Sequence, residues 1–156
     1  MSRSFGPALM ARLDELARFS DDPARLTRHY LSPAHCRAMR QVAAWMEAAG
    51  MSARIDAVGN VIGHYEGRRP GAPAVLVGSH IDTVTDAGRY DGGLGVLAGI
   101  AAVEALHRAG ERLPVALEVI AFGDEEGVRF PSALIGSRRS PAPSTRACWM
   151  AATGRA

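Results

Sequence analysis

The chain has 156 residues, 47% of them apolar and 22% charged, and a formal net charge of +2. That length and balance suit one domain with a sizeable core, and the charge is too small to argue for a nucleic acid or a membrane as partner. No run approaches the ~20 apolar residues of a membrane span, and charged residues interrupt the N-terminal MSRSFGPALMARLDEL before a signal-peptide core can form.

Two cysteines, Cys36 and Cys148, lie far apart in the sequence and suggest neither a disulfide framework nor a zinc knuckle. A cytoplasmic protein with free thiols is expected.

In chain order, residues 8–18 mix apolar and charged positions at helical spacing, and Ser20-Asp21-Asp22-Pro23 breaks the pattern. A second helix is predicted over 33–49, with Val42, Trp45, Met46 and Ala49 on one face and Gly50 as its stop signal. Two short strands follow, 52–58 and 61–66, joined by Gly59-Asn60, a pair suited to a tight hairpin turn. RRPGAP, residues 68–73, reads as a loop. Residues 74–78 read as a short, wholly apolar strand of the kind found in a sheet covered on both faces. A small-residue helix over 94–109 ends at Gly110, and 115–122 is a further apolar strand. The order strand, strand, strand, helix, strand after residue 50 predicts an α/β fold with a mixed sheet.

Two polar clusters come directly after apolar strands. GSHIDTVTDAGRYDGG, residues 78–93, follows one, and GDEEG, residues 123–127, follows the other. Taken singly, each reads as a solvated turn or charged loop. Together they sit where open α/β sheets bind ligands, outside the carboxyl ends of strands. His80, Asp82, Asp91, Glu125 and Glu126 can therefore meet in space. One imidazole with several hard carboxylates suits Zn²⁺, Mn²⁺ or Co²⁺. Asp82 is placed to accept the second imidazole N–H of His80 and fix its tautomer. Asp91, just before a helix, is placed to bridge two metals. Of the adjacent glutamates, one can turn to metal and the other to the attacking water, which gives a ligand and a general base. His29, His35, His64 and His107 fall outside these motifs and are expected in solvated or core positions. Arg129 is expected to pair with a local carboxylate.

GSHIDTV (78–84), YDGGLGV (90–96), GDEEGVRF (123–130) and GSR (136–138) form a set. LTRHYLSP (26–33), DAVGN (56–60) and Gly67 accompany it. This set resembles the amidohydrolase branch of the dinuclear metallopeptidases: allantoate amidohydrolases, N-carbamoyl-L-amino-acid hydrolases (the hydantoinase/carbamoylase family) and β-ureidopropionases. EEGxRF resembles this branch rather than the peptidases. The resemblance covers residues 8–138 and implies the N-terminal part of the mixed-sheet, helix-covered catalytic domain of the zinc-aminopeptidase-like hydrolases. It also implies two divalent metal ions, Zn or Mn. His80 would ligate one, Asp91 bridge both and Glu126 ligate the other. Glu125 would be the catalytic base that deprotonates the attacking water, and Asp82 would orient His80. The implied reaction is hydrolysis of a linear C–N bond in a small molecule, allantoate first and an N-carbamoyl amino acid as the alternative. A homodimer is implied for the full-length enzyme only.

The family places two further metal-binding histidines, its substrate-carboxylate grip and its dimerising lid downstream of the EEG motif. None has a counterpart in these 156 residues. With only two protein ligands per ion, metal binding is expected to be weak and the fragment inactive. A non-catalytic fold remnant or binding module is the rival reading. Residues 139–156 have no apolar period and read as a disordered tail. After GSR the family typically continues AVAGTxDP. Reading each codon's third base with the next codon's first two, from residue 138 onward, permits AVAGTLDPxVLD, and across Cys148-Trp149-Met150 the shifted frame can only be Leu-Asp. A single-nucleotide frameshift near codon 138 is therefore expected to have produced this tail.

Overall fold

A computed structural model describes residues 5–131 and 133–139. The element order is α1 (Gly6–Ala17), α2 (Pro33–Ala48), β1 (Ser52–Ile55), β2 (Val61–Tyr65), β3 (Ala74–His80), α3 (Gly93–Arg108), β4 (Ala116–Phe122) and α4 (Ile135–Arg139). Apart from Arg139, which closes α4, the expected tail over 139–156 lies outside the described residues, as does Cys148. Among the described residues, no helix is long and apolar enough to cross a membrane.

The four strands form one mixed sheet in the order β1-β2-β4-β3. β1 and β2 pair antiparallel, as do β2 and β4, whereas β3 and β4 run parallel around the α3 crossover. The expected mixed α/β sheet is present. α2 lies over β1 and β2, α3 lies over β3 and β4, and α1 packs on α3. Every second residue of the central strands faces these helices, so Val61, Tyr65, Val119 and Ala121 join Val42, Met46, Val96, Leu97 and Ile100 in one buried cluster. Gly99 allows the close approach: a methyl there would lie 3.1 Å from Val77 Cγ1 and 3.2 Å from the Val119 methyls.

Local chemistry sets the ends of the elements. Ser32 caps α2 by accepting a hydrogen bond from the His35 amide at 3.2 Å, with Pro33 in the first turn. The connection between β1 and β2 is longer than the expected two-residue turn. β1 stops at Ile55 because the Asp56 carboxylate accepts from the amides of Val58 (3.0 Å) and Asn60 (2.9 Å) and coils the chain there.

β3 also differs from expectation. It runs on to His80, and it is an edge strand among the described residues, leaving Val75 48% and Val77 38% exposed. An apolar run says that a strand can be buried, but not which side of it a neighbour covers. α4, absent from the expected elements, is a single turn held at its start by a Gly136 amide bond to the Gly123 carbonyl, 2.9 Å.

Candidate metal centre

The site follows from the parallel pairing of β3 and β4. Their register places His80 beside Phe122, so both strands release their polar clusters at the same edge of the sheet. α3 begins at that edge too, which brings Asp91 in from a third direction. His80 Nε2 lies 3.7 Å from Asp91 Oδ1 and 3.7 Å from Glu125 Oε2. His80, Asp91 and Glu126 each present a donor atom, and these atoms all lie within 4.8 Å of one another. His80 is buried, Glu126 half-buried and Asp91 exposed.

The imidazole is held in one orientation. Nδ1 is 2.9 Å from the backbone carbonyl of Asp82 and 3.9 Å from its carboxylate. A carbonyl only accepts, so Nδ1 carries the hydrogen and Nε2 offers its lone pair to the cluster. The peptide of Asp82 thus takes the contact that the sequence pattern assigned to its side chain. The ring rests on Gly92, where a methyl would come within 2.6 Å of both ring nitrogens. Gly92 also has φ +62, ψ −50, a conformation unsuited to other residues, and its carbonyl accepts from Ser79 Oγ at 2.8 Å.

The Asp82 side chain is buried behind the histidine. Oδ2 accepts from the Glu126 amide at 3.3 Å and ties the glutamate turn to the His80 strand, while Oδ1 has no partner among the described residues. Burial pushes the Asp82 carboxyl above the ordinary carboxylate range, against the opposing pull of His80 and the glutamate-turn amides. Glu126 is pushed the same way, first by burial and then by the negative charges of Asp91, Glu125 and Asp82. Asp124 was read from sequence as one member of a charged loop. It is instead fully buried in a left-handed conformation (φ +57), with both carboxylate oxygens unpartnered among the described residues, and burial raises its pKa also.

Sequence reasoning assigned no role to Arg28. Its guanidinium is buried, donating from Nε to the Ile81 carbonyl (2.6 Å) and from Nη1 to those of Leu16 and Phe19 (2.8 Å each). Its own amide donates to Thr83 Oγ1 at 2.8 Å, so the residue grips the chain on both sides of Asp82. Burial lowers its pKa to about 10. Its sequence signal is its place in LTRHYLSP (26–33), one of the segments that carry the family resemblance. Arg129 does not pair with a carboxylate: its Nη1 donates to the Tyr30 carbonyl at 2.8 Å. The remaining histidines stay out of the cluster. His35 is buried, His29 and His64 are half-buried, and His107 is exposed.

The donor set fits a divalent cation. One imidazole lone pair and two carboxylates converge; burial is the main reason the Glu126 carboxyl is raised, and a cation would offset both that burial and the smaller repulsion from Asp91, Glu125 and Asp82. A second cation could share Asp91. Among the described residues, no other histidine, cysteine or carboxylate joins the group to complete two coordination shells.

The sequence matches peptidase family M28 over residues 60–151. It is 48% identical over 130 residues to allantoate deiminase 2 of Glycine max, covering 82% of this chain and 27% of that protein. It is 44% identical over 134 residues to an N-carbamoyl-L-amino acid amidohydrolase of Geobacillus stearothermophilus, covering 85% of this chain and 33% of that one. The fold superposes on the crystal structure of a hydantoinase/carbamoylase family amidase from Burkholderia ambifaria with a TM-score of 0.80 at 38% identity. That match covers 85% of this chain and 33% of that one. The chain therefore spans between a quarter and a third of these relatives' length. With its metal-fitting cluster at the end of the parallel strand pair, the chain belongs to peptidase family M28.

Proposed function

We propose that this chain carries part of the active site of a metal-dependent amidohydrolase that cleaves a linear C–N bond in a small ureido compound, with allantoate the first substrate to test. The observation that carries this reading is the convergence of His80, Asp91 and Glu126 donor atoms within 4.8 Å, with Glu125 Oε2 3.7 Å from His80 Nε2. His80 Nε2 and Glu126 would hold one ion each, and Asp91 would bridge them. Bound ions would polarise the substrate carbonyl and lower the pKa of the attacking water. Glu125 would take a proton from that water as its oxygen adds to the carbon, and return the proton to the nitrogen as the C–N bond breaks. Ammonia is released, with carbon dioxide where a carbamoyl group is removed. The relatives' names support both allantoate and N-carbamoyl amino acids as substrates.

The test is Mn²⁺ titration followed by water-proton relaxation, on the chain and on His80→Ala. Weak binding that disappears in the variant is expected, with no ammonia release from allantoate by the 156-residue chain alone, because the second ion would have only two protein donors. Binding indifferent to His80→Ala would favour a non-catalytic fold remnant. Steady ammonia release would refute the expected inactivity.

A further inference from the structure

Asn60 is fully buried at the tip of the β1–β2 connection, outside the metal cluster, and its side chain is committed in three directions. Its Oδ1 accepts from the Gly123 amide at 2.9 Å, and its Nδ2 donates to the Gly136 carbonyl at 3.1 Å and to Asp56 Oδ2 at 2.9 Å. Gly123 and Gly136 are the two ends of the segment that carries Glu125 and Glu126. They are also bonded to each other, Gly136 amide to Gly123 carbonyl at 2.9 Å, and the Leu134 amide closes the next rung on the Asp124 carbonyl at 2.7 Å. The approach is too close for any side chain at Gly136, where a methyl would overlap Asn60 Oδ1 and come within 2.6 Å of the Gly123 amide nitrogen.

Inside these pins the backbone is held in unfavourable conformations. Asp124 (φ +57) and Leu134 (φ +64) are both left-handed without being glycine. Such residues persist only where the surroundings over-determine them. Asp124 immediately precedes the two glutamates, so its backbone angles set where they point.

From this geometry we infer that Asn60 is a positioning residue for the glutamate turn: by tying both ends of residues 123–136 to the β1–β2 connection, it holds Glu126 within reach of His80 and Asp91. The inference rests on the metal-site reading above. It differs from a general stabilising role in one respect. Loss of Asn60 should harm metal binding through Glu126 and leave the contribution of His80, which is seated on β3, in place.

The experiment is a double-mutant cycle on Mn²⁺ affinity, read by water-proton relaxation on the 156-residue chain. Asn60→Ser is combined with Glu126→Gln and, separately, with His80→Ala. Asn60→Ser alone should weaken binding about 10-fold, the lower end of what is lost when groups supporting metal ligands are removed. In its presence, Glu126→Gln should have little further effect, while His80→Ala should keep its full effect. Gly136→Ala disturbs the same clamp from its other end with Asn60 intact, and it should reproduce the selective loss if Asn60→Ser does not fold. A Glu126→Gln penalty unchanged in both clamp variants overturns the inference while leaving the metal site standing. Absence of any Glu126-dependent binding in the unmodified chain overturns the metal-site reading itself, and the inference with it.

Discussion

Replacing Gly92 by alanine tests whether His80, the histidine of the proposed metal site, is seated on the backbone that precedes α3. Two effects act at this position and can be separated. The first is conformational: Gly92 has φ +62 and ψ −50, outside the left-handed helical region, and an L-residue held in so sparsely populated a conformation loses about 1–3 kcal/mol. The second is steric: the new methyl would lie 2.5 Å from His80 Cε1 and 2.6 Å from each ring nitrogen, and overpacking of that kind costs about 1–3 kcal/mol. Gly71 supplies the control, since it has φ +71 and nothing within 4 Å of the added methyl. Gly71→Ala should therefore lose only the conformational part. Urea unfolding of both variants at constant m-value reads the difference. At this chain length each kcal/mol corresponds to roughly 2–4 °C in Tm. Gly92→Ala should in addition lose Mn²⁺ affinity, because the ring cannot yield without breaking its 2.9 Å bond to the Asp82 carbonyl, whereas Gly71→Ala should not. Equal destabilisation of the two variants, with metal affinity unchanged in both, would refute the seating of His80 on Gly92.

Two further outcomes concern stability. His35 is fully buried with Nε2 unpartnered among the described residues, and burial, together with the nearby charge of Arg28, takes its pKa from 6.5 down to about 4. The unfolded chain thus binds the proton more readily, so stability should fall as pH drops from about 6.5 towards 4, by about 3 kcal/mol at roughly 1.4 kcal/mol per unit. Urea midpoints across that range should show this slope, and His35→Gln should flatten it. Arg28→Met removes the donor to the carbonyls of Leu16, Phe19 and Ile81, of which Leu16 keeps the Phe19 amide. It should lose about 2–4 kcal/mol of stability, measured by urea unfolding, with Arg28→Lys recovering part of it.

The elements were legible wherever a local rule governs them. Ser32-Pro33 marks the start of α2, and Val42, Met46 and Ala49 bury as their spacing indicates. The edge position of β3 was not legible, because strand order depends on pairing partners distant in sequence, and a run such as AVLV is equally compatible with the centre or the edge of a sheet. The length of the β1–β2 connection differs from expectation for a similar reason: Gly59-Asn60 suits a tight turn, but the Asp56 side chain, four residues upstream of Asn60, captures the amides first.

The site divides in the same way. The sequence alone determined which residue types are available for chemistry. His80, Asp91, Glu125 and Glu126 stand out because imidazole and carboxylates collect just past apolar strands, and donor chemistry is a property of the residue itself. Only the tertiary structure decided how they are aimed. The Asp82 peptide, rather than its carboxylate, sets the His80 tautomer, and Asp124 is buried rather than solvated. Arg28 and Asn60 lie in the family-like segments LTRHYLSP and DAVGN, but only the fold shows what they hold: they bind the two site-bearing segments to the rest of the domain. Orientation depends on backbone carbonyls and amides that every residue possesses, and such groups acquire a role only when the fold brings them within about 3 Å of a side chain.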